Sequence, residues 1–330
     1  MRILIAGDHF VTPPLVESAL RDRLGSAPTI TTLTSAWPYR PFGKVGEVDE
    51  ACGDEDELAA ALAGVDVAVT QMAPFTAKVL AAADALRLIV CTRGGPVNVN
   101  LAAAAERGVE VRSTPGRNAP AAAEHTLALM LAALRSIPDV HATVRAGEWR
   151  SDLYALSAAG RELSGATVGL VGYGAIGARV ARILAAFDAE VVVYDPYAAP
   201  DRSVTAVSTL DELLDRSEVV SLHARLTAET RHVIDAAALA RMPHGSVLVN
   251  TARGGLVDYD AVVDALESGR LAAAAFDVYE AEPIPPGTRL LTAPNVVLTP
   301  HLAGATVQTA QRAAALAAEA VAAFLKQAGQ

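Results

Sequence analysis

Apolar and polar positions along this chain keep one rhythm from end to end: a short apolar run, then a longer stretch with helical spacing. In the first third, residues 3–6, 65–70 and 88–91 are strand-length runs built mainly of Ile, Val, Leu and Ala. Helical spacing appears at 16–24, 55–63, 76–83 and 100–107. Strands apolar on both faces need helices on both faces, so the alternation predicts a parallel sheet. Residues 112–120 contain two prolines, a glycine and an asparagine, which predicts a joint between domains.

The pattern predicts one long Ala/Leu-rich helix at 121–145, after which a second series begins. Its strands are expected at 167–171, 190–194, 219–222, 246–250, 272–276 and 296–298, with helices between them, among them 175–187 and 259–267. The last apolar pattern, 306–326, reads as an Ala-rich helix that packs back on the first domain. The fold class is therefore α/β, with two doubly wound parallel-sheet domains. The first is discontinuous, residues 1–118 and 301–330, and the second, residues 119–300, is inserted in it.

Composition narrows the possible partners. A chain of 330 residues is too long for one ordinary core, and 52% apolar residues suffice for two. Only 5% are aromatic, so the core must come from Ala, Val and Leu. A net charge of −10 argues against nucleic acid or an anionic membrane, which need a basic face. The two cysteines, Cys52 and Cys91, form no C-x-x-C pair, so neither a disulfide framework nor a zinc site is expected. No cluster of His, Asp and Glu has metal spacing, so no metal is expected. The apolar stretch at the N-terminus is too short for a signal peptide, and no uncharged apolar run approaches the ~20 residues of a membrane span. The expectation is a soluble, cytoplasmic protein.

The sharpest motif is Thr167-Val168-Gly169-Leu170-Val171-Gly172-Tyr173-Gly174-Ala175-Ile176-Gly177, a strand entering G-x-G-x-x-G with a helical pattern directly after it. In this setting Gly172 permits a tight turn, Gly174 lets a pyrophosphate approach the backbone, and Gly177 lets helix and strand pack closely. The N–H groups of Ala175, Ile176 and Gly177 then open a helix whose positive end suits phosphate. Asp195, at the end of the next predicted strand, can accept from both ribose hydroxyls and repels a 2′-phosphate. No arginine follows in Pro196-Tyr197. The motif predicts a Rossmann domain that binds NAD in preference to NADP.

Three stretches after this motif carry chemistry: Asn250 to Asp258 with Arg253, Phe276 to Pro283 with Glu282, and Thr299 to Gly304 with His301. Each follows a predicted strand, so their side chains should emerge at the carboxyl edge of the sheet, where ligands bind. An arginine, a carboxylate and a histidine beside a nicotinamide suit hydride exchange with a keto acid.

In this order the motifs resemble the D-isomer-specific 2-hydroxyacid dehydrogenases, the family of phosphoglycerate dehydrogenase and the glyoxylate and hydroxypyruvate reductases, and the resemblance covers nearly the whole chain. It implies an enzyme moving hydride between NAD and C2 of a small D-2-hydroxy or 2-keto acid, on a flavodoxin-like substrate domain and a Rossmann domain. Arg253 would hold the substrate carboxylate and polarise the carbonyl, His301 would carry the proton, and Glu282 would orient it and favour its imidazolium. Asp277 would hydrogen-bond the nicotinamide carboxamide, and Thr251, Ala252 and His301 to Gly304 would line the cofactor cleft. His223 would shape the cofactor loop rather than catalyse.

The resemblance also implies a substrate loop at Arg93, Gly94 and Gly95, whose backbone N–H groups grip the carboxylate. Here the loop, 92–100, is short, contains Pro96 and ends in Asn100 where usual members carry Asp. Arg93 matches an arginine that in phosphoglycerate dehydrogenases lies near the substrate phosphate; a purely structural role is its alternative. A homodimer is expected from the apolar helix at 121–145, with Leu127, Leu129, Met130, Leu131 and Leu134 crowding its sides, and with 149–156 reaching toward the partner's cleft. From another class, the alternative is a non-catalytic NAD-sensing interaction protein like the corepressors that share this fold. The formate dehydrogenase branch is a poorer fit, since it places Gln where Glu282 stands. With the last apolar pattern read as a closing helix, the regulatory domain of the serine-regulated branch is not expected.

Overall fold

A computed structural model describes residues 1–25, 28–200 and 202–328. The chain divides into two compact units, 1–118 with 305–330, and 119–304. The second crossing was expected at 300/301 and falls at 304/305. The turn after the last strand explains the shift, because the N–H groups of Leu302 and Ala303 are both bound by Asp277 of the second unit's own sheet edge.

The first unit is a five-stranded parallel sheet. Its strands are β1 (Arg2–Gly7), β2 (Thr29–Thr34), β5 (Val67–Thr70), β6 (Leu88–Cys91) and β7 (Glu110–Ser113), in the order β2-β1-β5-β6-β7, with a small hairpin of β3 (Gly43–Val45) and β4 (Val48–Ala51) between β2 and β5. Successive strand residues face opposite ways. Leu4, Ala68 and Ile89 therefore meet Leu58 of α2 (Glu55–Ala61) and Leu80 of α3 (Ala77–Ala82). On the other face Ile3, Ile5, Val67, Val69, Leu88 and Val90 meet Val16 and Leu20 of α1 (Pro13–Leu24). Ala313, Ala317 and Val321 of the C-terminal helix, Val307–Ala328, complete that face, as the Ala-rich pattern predicts. Helix α4 (Leu101–Glu106) connects β6 to β7. Residues 112–113, read as part of a joint, are the end of the edge strand β7.

The second unit opens with α5 (Ala119–Leu134) and α6 (Ile137–Arg145). The single helix predicted at 121–145 is thus two, bent by 66°. Pro138 is the cause: it has no N–H to give and its ring collides with the carbonyl four residues back. That carbonyl, of Leu134, accepts instead from Arg161 N at 3.1 Å, and Ser136 turns the corner at φ 47°. Seven parallel strands follow: β8 (Thr167–Val171), β9 (Glu190–Tyr194), β10 (Thr205–Ala206), β11 (Val219–Leu222), β12 (Ser246–Asn250), β13 (Leu271–Phe276) and β14 (Val296–Leu298). Their order, β10-β9-β8-β11-β12-β13-β14, reverses direction between β8 and β11. Helices α5 and α7 (Gly177–Ala185) cover one face, packing Leu127, Met130, Val180 and Leu184 on Val168, Leu170, Val191 and Val249. Helices α8 (Leu210–Arg216), α9 (Ala236–Arg241) and α10 (Tyr259–Glu267) cover the other. Among the described helices, no single one is long and apolar enough to cross a membrane.

Candidate active site

The glycine turn after β8 is shaped by what a side chain there would strike. Gly172 has φ +102°, and a Cβ on it would lie 2.7 Å from the His223 carbonyl carbon. A Cβ on Gly177 would lie 2.2 Å from the Gly172 carbonyl oxygen. Both glycines are therefore demanded by the packing of turn, strand and helix. Gly174 differs: a Cβ there would meet nothing within 4 Å, and Gly174 and Ala175 are exposed. This open backbone, followed by Ile176 and the first turn of the nine-residue α7, is the approach a pyrophosphate needs.

Asp195, just past β9, is held by three backbone N–H groups. Its Oδ2 accepts from Tyr173 at 2.7 Å, and its Oδ1 from Tyr197 at 2.8 Å and Ala198 at 3.0 Å. Burial pushes its pKa up, but these donors outweigh it and hold the carboxyl below its ordinary value. The result is a fixed negative charge beside the glycine turn, which fits an unphosphorylated ribose diol. His223 has its Nε2 3.0 Å from the Ser221 hydroxyl. Burial pushes its pKa down to about 4, so it is neutral at pH 7 and is no proton carrier.

The turn after β12 is shaped by Asn250. Its amide donates to the Arg253 carbonyl at 2.9 Å and its Oδ1 accepts from Ala252 N at 3.0 Å. This sets Arg253 on the surface, its Nη1 bonded to the Ala252 carbonyl at 2.7 Å. A Cβ on the next residue, Gly254, would lie 1.9 Å from the Tyr279 carbonyl carbon, so the Arg253 turn rests directly on the turn after β13.

That second turn carries Glu282. Its Oε1 accepts from Tyr279 N at 2.9 Å and its Oε2 lies 2.7 Å from His301 Nδ1. A carboxylate only accepts, so Nδ1 bears the proton and Nε2 is left to exchange one with a ligand. His301 stands at φ 54°, with 37% of its side chain exposed. Burial works to lower its pKa; the hydrogen bond and charge of Glu282 and the charge of Asp277 raise it, against Arg253, and the net shift is upward. The imidazolium is thus favoured at a site a ligand can reach.

Asp277, expected to meet the nicotinamide carboxamide, is wholly buried. It accepts from Thr299 Oγ1 at 2.6 Å, Leu302 N at 2.8 Å and Ala303 N at 2.8 Å. Its first partners are the chain's own donors, and it fixes the turn from Thr299 to Gly304. Thr251 is buried behind Ala252, bonded to Thr126 at 2.7 Å.

In the first unit Arg93 is closed onto its own surroundings. Its guanidinium pairs with the Glu50 carboxylate and lies 3.3 Å from both the Glu50 carbonyl and Met72 Sδ. Only 16% of its side chain is exposed. Gly94 is exposed and Gly95 half-buried, and a Cβ on Gly95 would point into open space.

Sequence reasoning gave His125 packing or a domain-interface hydrogen bond and missed the other supports behind the site, Thr126, Asn250 and Tyr279. Only Asn250 carried a local signal, an Asx side chain just after a strand. The others act across the sheet edge, which no spacing reveals.

The open glycine turn with Asp195 and the turns that carry Arg253, Glu282 and His301 stand at one edge of the same parallel sheet, and comparison with known proteins gives the family. The model described as D-isomer specific 2-hydroxyacid dehydrogenase, NAD binding domain, matches residues 127–303. A D-3-phosphoglycerate dehydrogenase of Mycobacterium tuberculosis is 42% identical over 272 residues, 81% of this chain and 51% of that protein. A glyoxylate reductase of Thermofilum pendens is 41% identical over 254 residues, 76% of this chain and 75% of that protein. Among solved structures, the TT0316 protein of Thermus thermophilus superposes with a TM-score of 0.82 at 34% identity, covering 99% of this chain and 97% of that one. The chain belongs to the D-isomer specific 2-hydroxyacid dehydrogenase family and carries its NAD-binding domain. It spans about half the length of the phosphoglycerate dehydrogenases it matches.

Proposed function

We propose that this protein reduces a small 2-keto acid to a D-2-hydroxy acid, or runs the reverse reaction, with NAD(H). The observation that carries this reading is the 2.7 Å contact of His301 Nδ1 with Glu282, set at the same sheet edge as Arg253, whose guanidinium meets a backbone carbonyl and, among the described residues, no carboxylate.

Bound NADH supplies the hydride. Arg253 takes the substrate carboxylate in its fork and draws electron density from the adjacent carbonyl. His301, charged through Glu282, gives its Nε2 proton to the carbonyl oxygen as negative charge develops there. Glu282 keeps the ring oriented and then stabilises the ion that re-forms. In oxidation His301 starts neutral and accepts the hydroxyl proton at Nε2. Asp195, ionised and fixed, receives the ribose hydroxyls and selects NAD.

The substrate we infer is unphosphorylated. A phosphate needs an available cation, and the Arg93 guanidinium is paired with Glu50. NADH oxidation with glyoxylate, hydroxypyruvate, pyruvate, 3-phosphohydroxypyruvate and a few sugar-derived keto acids tests both points. Hydroxypyruvate should exceed its phosphate in kcat/KM, and Glu50→Gln, which frees Arg93, should narrow the gap. No turnover with any of these acids would end the enzymatic reading, and a preference for the phosphate would end the inference from Arg93.

The assembly we propose is a homodimer, on grounds that differ from the sequence argument. Leu127, Leu129, Met130 and Leu134 are buried in their own unit, with Leu131 packed against them. The apolar surface lies further on: Ile137 and Val144 of α6 are exposed, as are Trp149, Tyr154 and Leu156. The two free, buried cysteines and the net charge of −10 fit a cytoplasmic enzyme of small acids without a nucleic-acid or membrane partner.

A further inference from the structure

Two adjacent residues of α5 reach two different turns of the site. His125 Nε2 lies 3.0 Å from Thr299 Oγ1, and Thr299 Oγ1 donates onward to Asp277 Oδ1 at 2.6 Å. Because the Thr299 proton is committed to Asp277, its oxygen must accept from His125, which puts a proton on Nε2; the same nitrogen lies 3.4 Å from Asp277 Oδ1. Asp277 in turn holds the N–H groups of Leu302 and Ala303, the two residues after His301. The next residue, Thr126, donates to the Ala122 carbonyl at 2.7 Å, so Thr251 Oγ1 must be the donor in their 2.7 Å contact. Thr251 lies two residues before Arg253. Thr126 and Asp277 have no exposed surface and Thr251 almost none, so the Thr126–Thr251 bond is screened from water, where a lost partner is costly, and the His125–Thr299 bond is part-buried.

We infer that His125 and Thr126 are positioning residues for catalysis: side by side on α5, they tie the His301 turn and the Arg253 turn to one helix and so set the spacing of proton donor and carboxylate anchor. This rests on the proposed dehydrogenase reading. The need for such a device follows from the turns themselves. His301 sits in left-handed backbone at φ 54°, a conformation that a histidine keeps only when its neighbours enforce it. The fixed residues 302 and 303 supply that enforcement, and their anchor ends at His125. Misplacing reacting groups by an ångström is enough to cost on the order of 100-fold in rate.

The two arms separate in experiment. In full-length His125→Leu, kcat for keto-acid reduction should fall by roughly 10- to 100-fold. Its His301 ring should also titrate at lower pH, because a loosened turn weakens the bond to Glu282 that favours the imidazolium. The ring signal is identified by its absence in His301→Gln and read by NMR, without turnover. His125→Gln, whose amide can still reach Thr299, should recover most of the rate and the wild-type titration. Thr126→Val should instead raise KM for the keto acid and leave the His301 titration in place. If His125→Leu does not fold, His125→Asn, too short to reach Thr299, takes its place. A wild-type titration and kcat in the first variant would overturn the inference, as would Thr126→Val shifting the titration equally, the mark of general loosening. Wild-type protein inert toward every keto acid would sink the dehydrogenase reading alone, with the titrations still judging the clamp.

Discussion

Asp195 concentrates the cofactor argument in one side chain. It is ionised and held by three backbone N–H groups, so it cannot swing aside to admit a 2′-phosphate. Asp195→Ala should weaken NADH binding far more than NADPH binding, measured by fluorescence titration of each; equal losses would assign the residue to the turn's shape alone. The turns that carry Gly172, Asp195, Arg253, Glu282 and His301 were legible in the sequence because each follows a strand that the apolar pattern marks. The pairing of Arg93 with Glu50 was not, because Glu50 comes from a hairpin with no pattern of its own. Asp277 was legible as important, but its engagement by Thr299, Leu302 and Ala303, with His125 Nε2 3.4 Å away, joins residues remote in sequence.

At the level of elements, strands buried on both faces read clearly. Thr167–Val171 and Val219–Leu222 are almost wholly apolar and fall where the pattern puts them. The edge strands of the first sheet did not: Thr29–Thr34 is mostly threonine with one face open, and Glu110–Ser113 alternates with charge. The α5–α6 corner was missed for a different reason, since apolar residues at Val140, Ala142 and Val144 continue past Pro138 and the pattern outvoted one residue. The contact between the Arg253 turn and the Tyr279 turn also belongs to this scale. Gly254→Ala must push these backbones apart, because its Cβ would fall inside the Tyr279 carbonyl. We expect a stability loss of about 1–3 kcal/mol with a raised KM for the keto acid, checked by denaturant unfolding and kinetics. Wild-type values for both would mean the turns are not coupled there.

For the whole molecule, each unit buries its own core, so what remains apolar on the surface bears on assembly. Trp149, Tyr154 and Leu156 are 85%, 96% and 95% exposed, and the proposed dimer would cover them. Light scattering at micromolar concentration should report twice the 34.1 kDa of one chain. Ile137→Glu with Val144→Glu should shift it toward one chain while leaving the fold intact by circular dichroism. A stable single chain in the wild type would remove the dimer.

The central claim is that His301 acts as a proton carrier because Glu282 keeps it charged. The most direct test is the pH dependence of kcat for NADH-driven reduction in wild type and in Glu282→Gln. With the carboxylate present, the histidine pKa is raised, so the reductive activity persists as pH climbs until the folded-state value is passed. With the amide, the proton leaves sooner, and the alkaline fall should move to lower pH along with a reduced plateau. Coincident alkaline limbs in the two proteins would contradict the account and leave His301 without its partner.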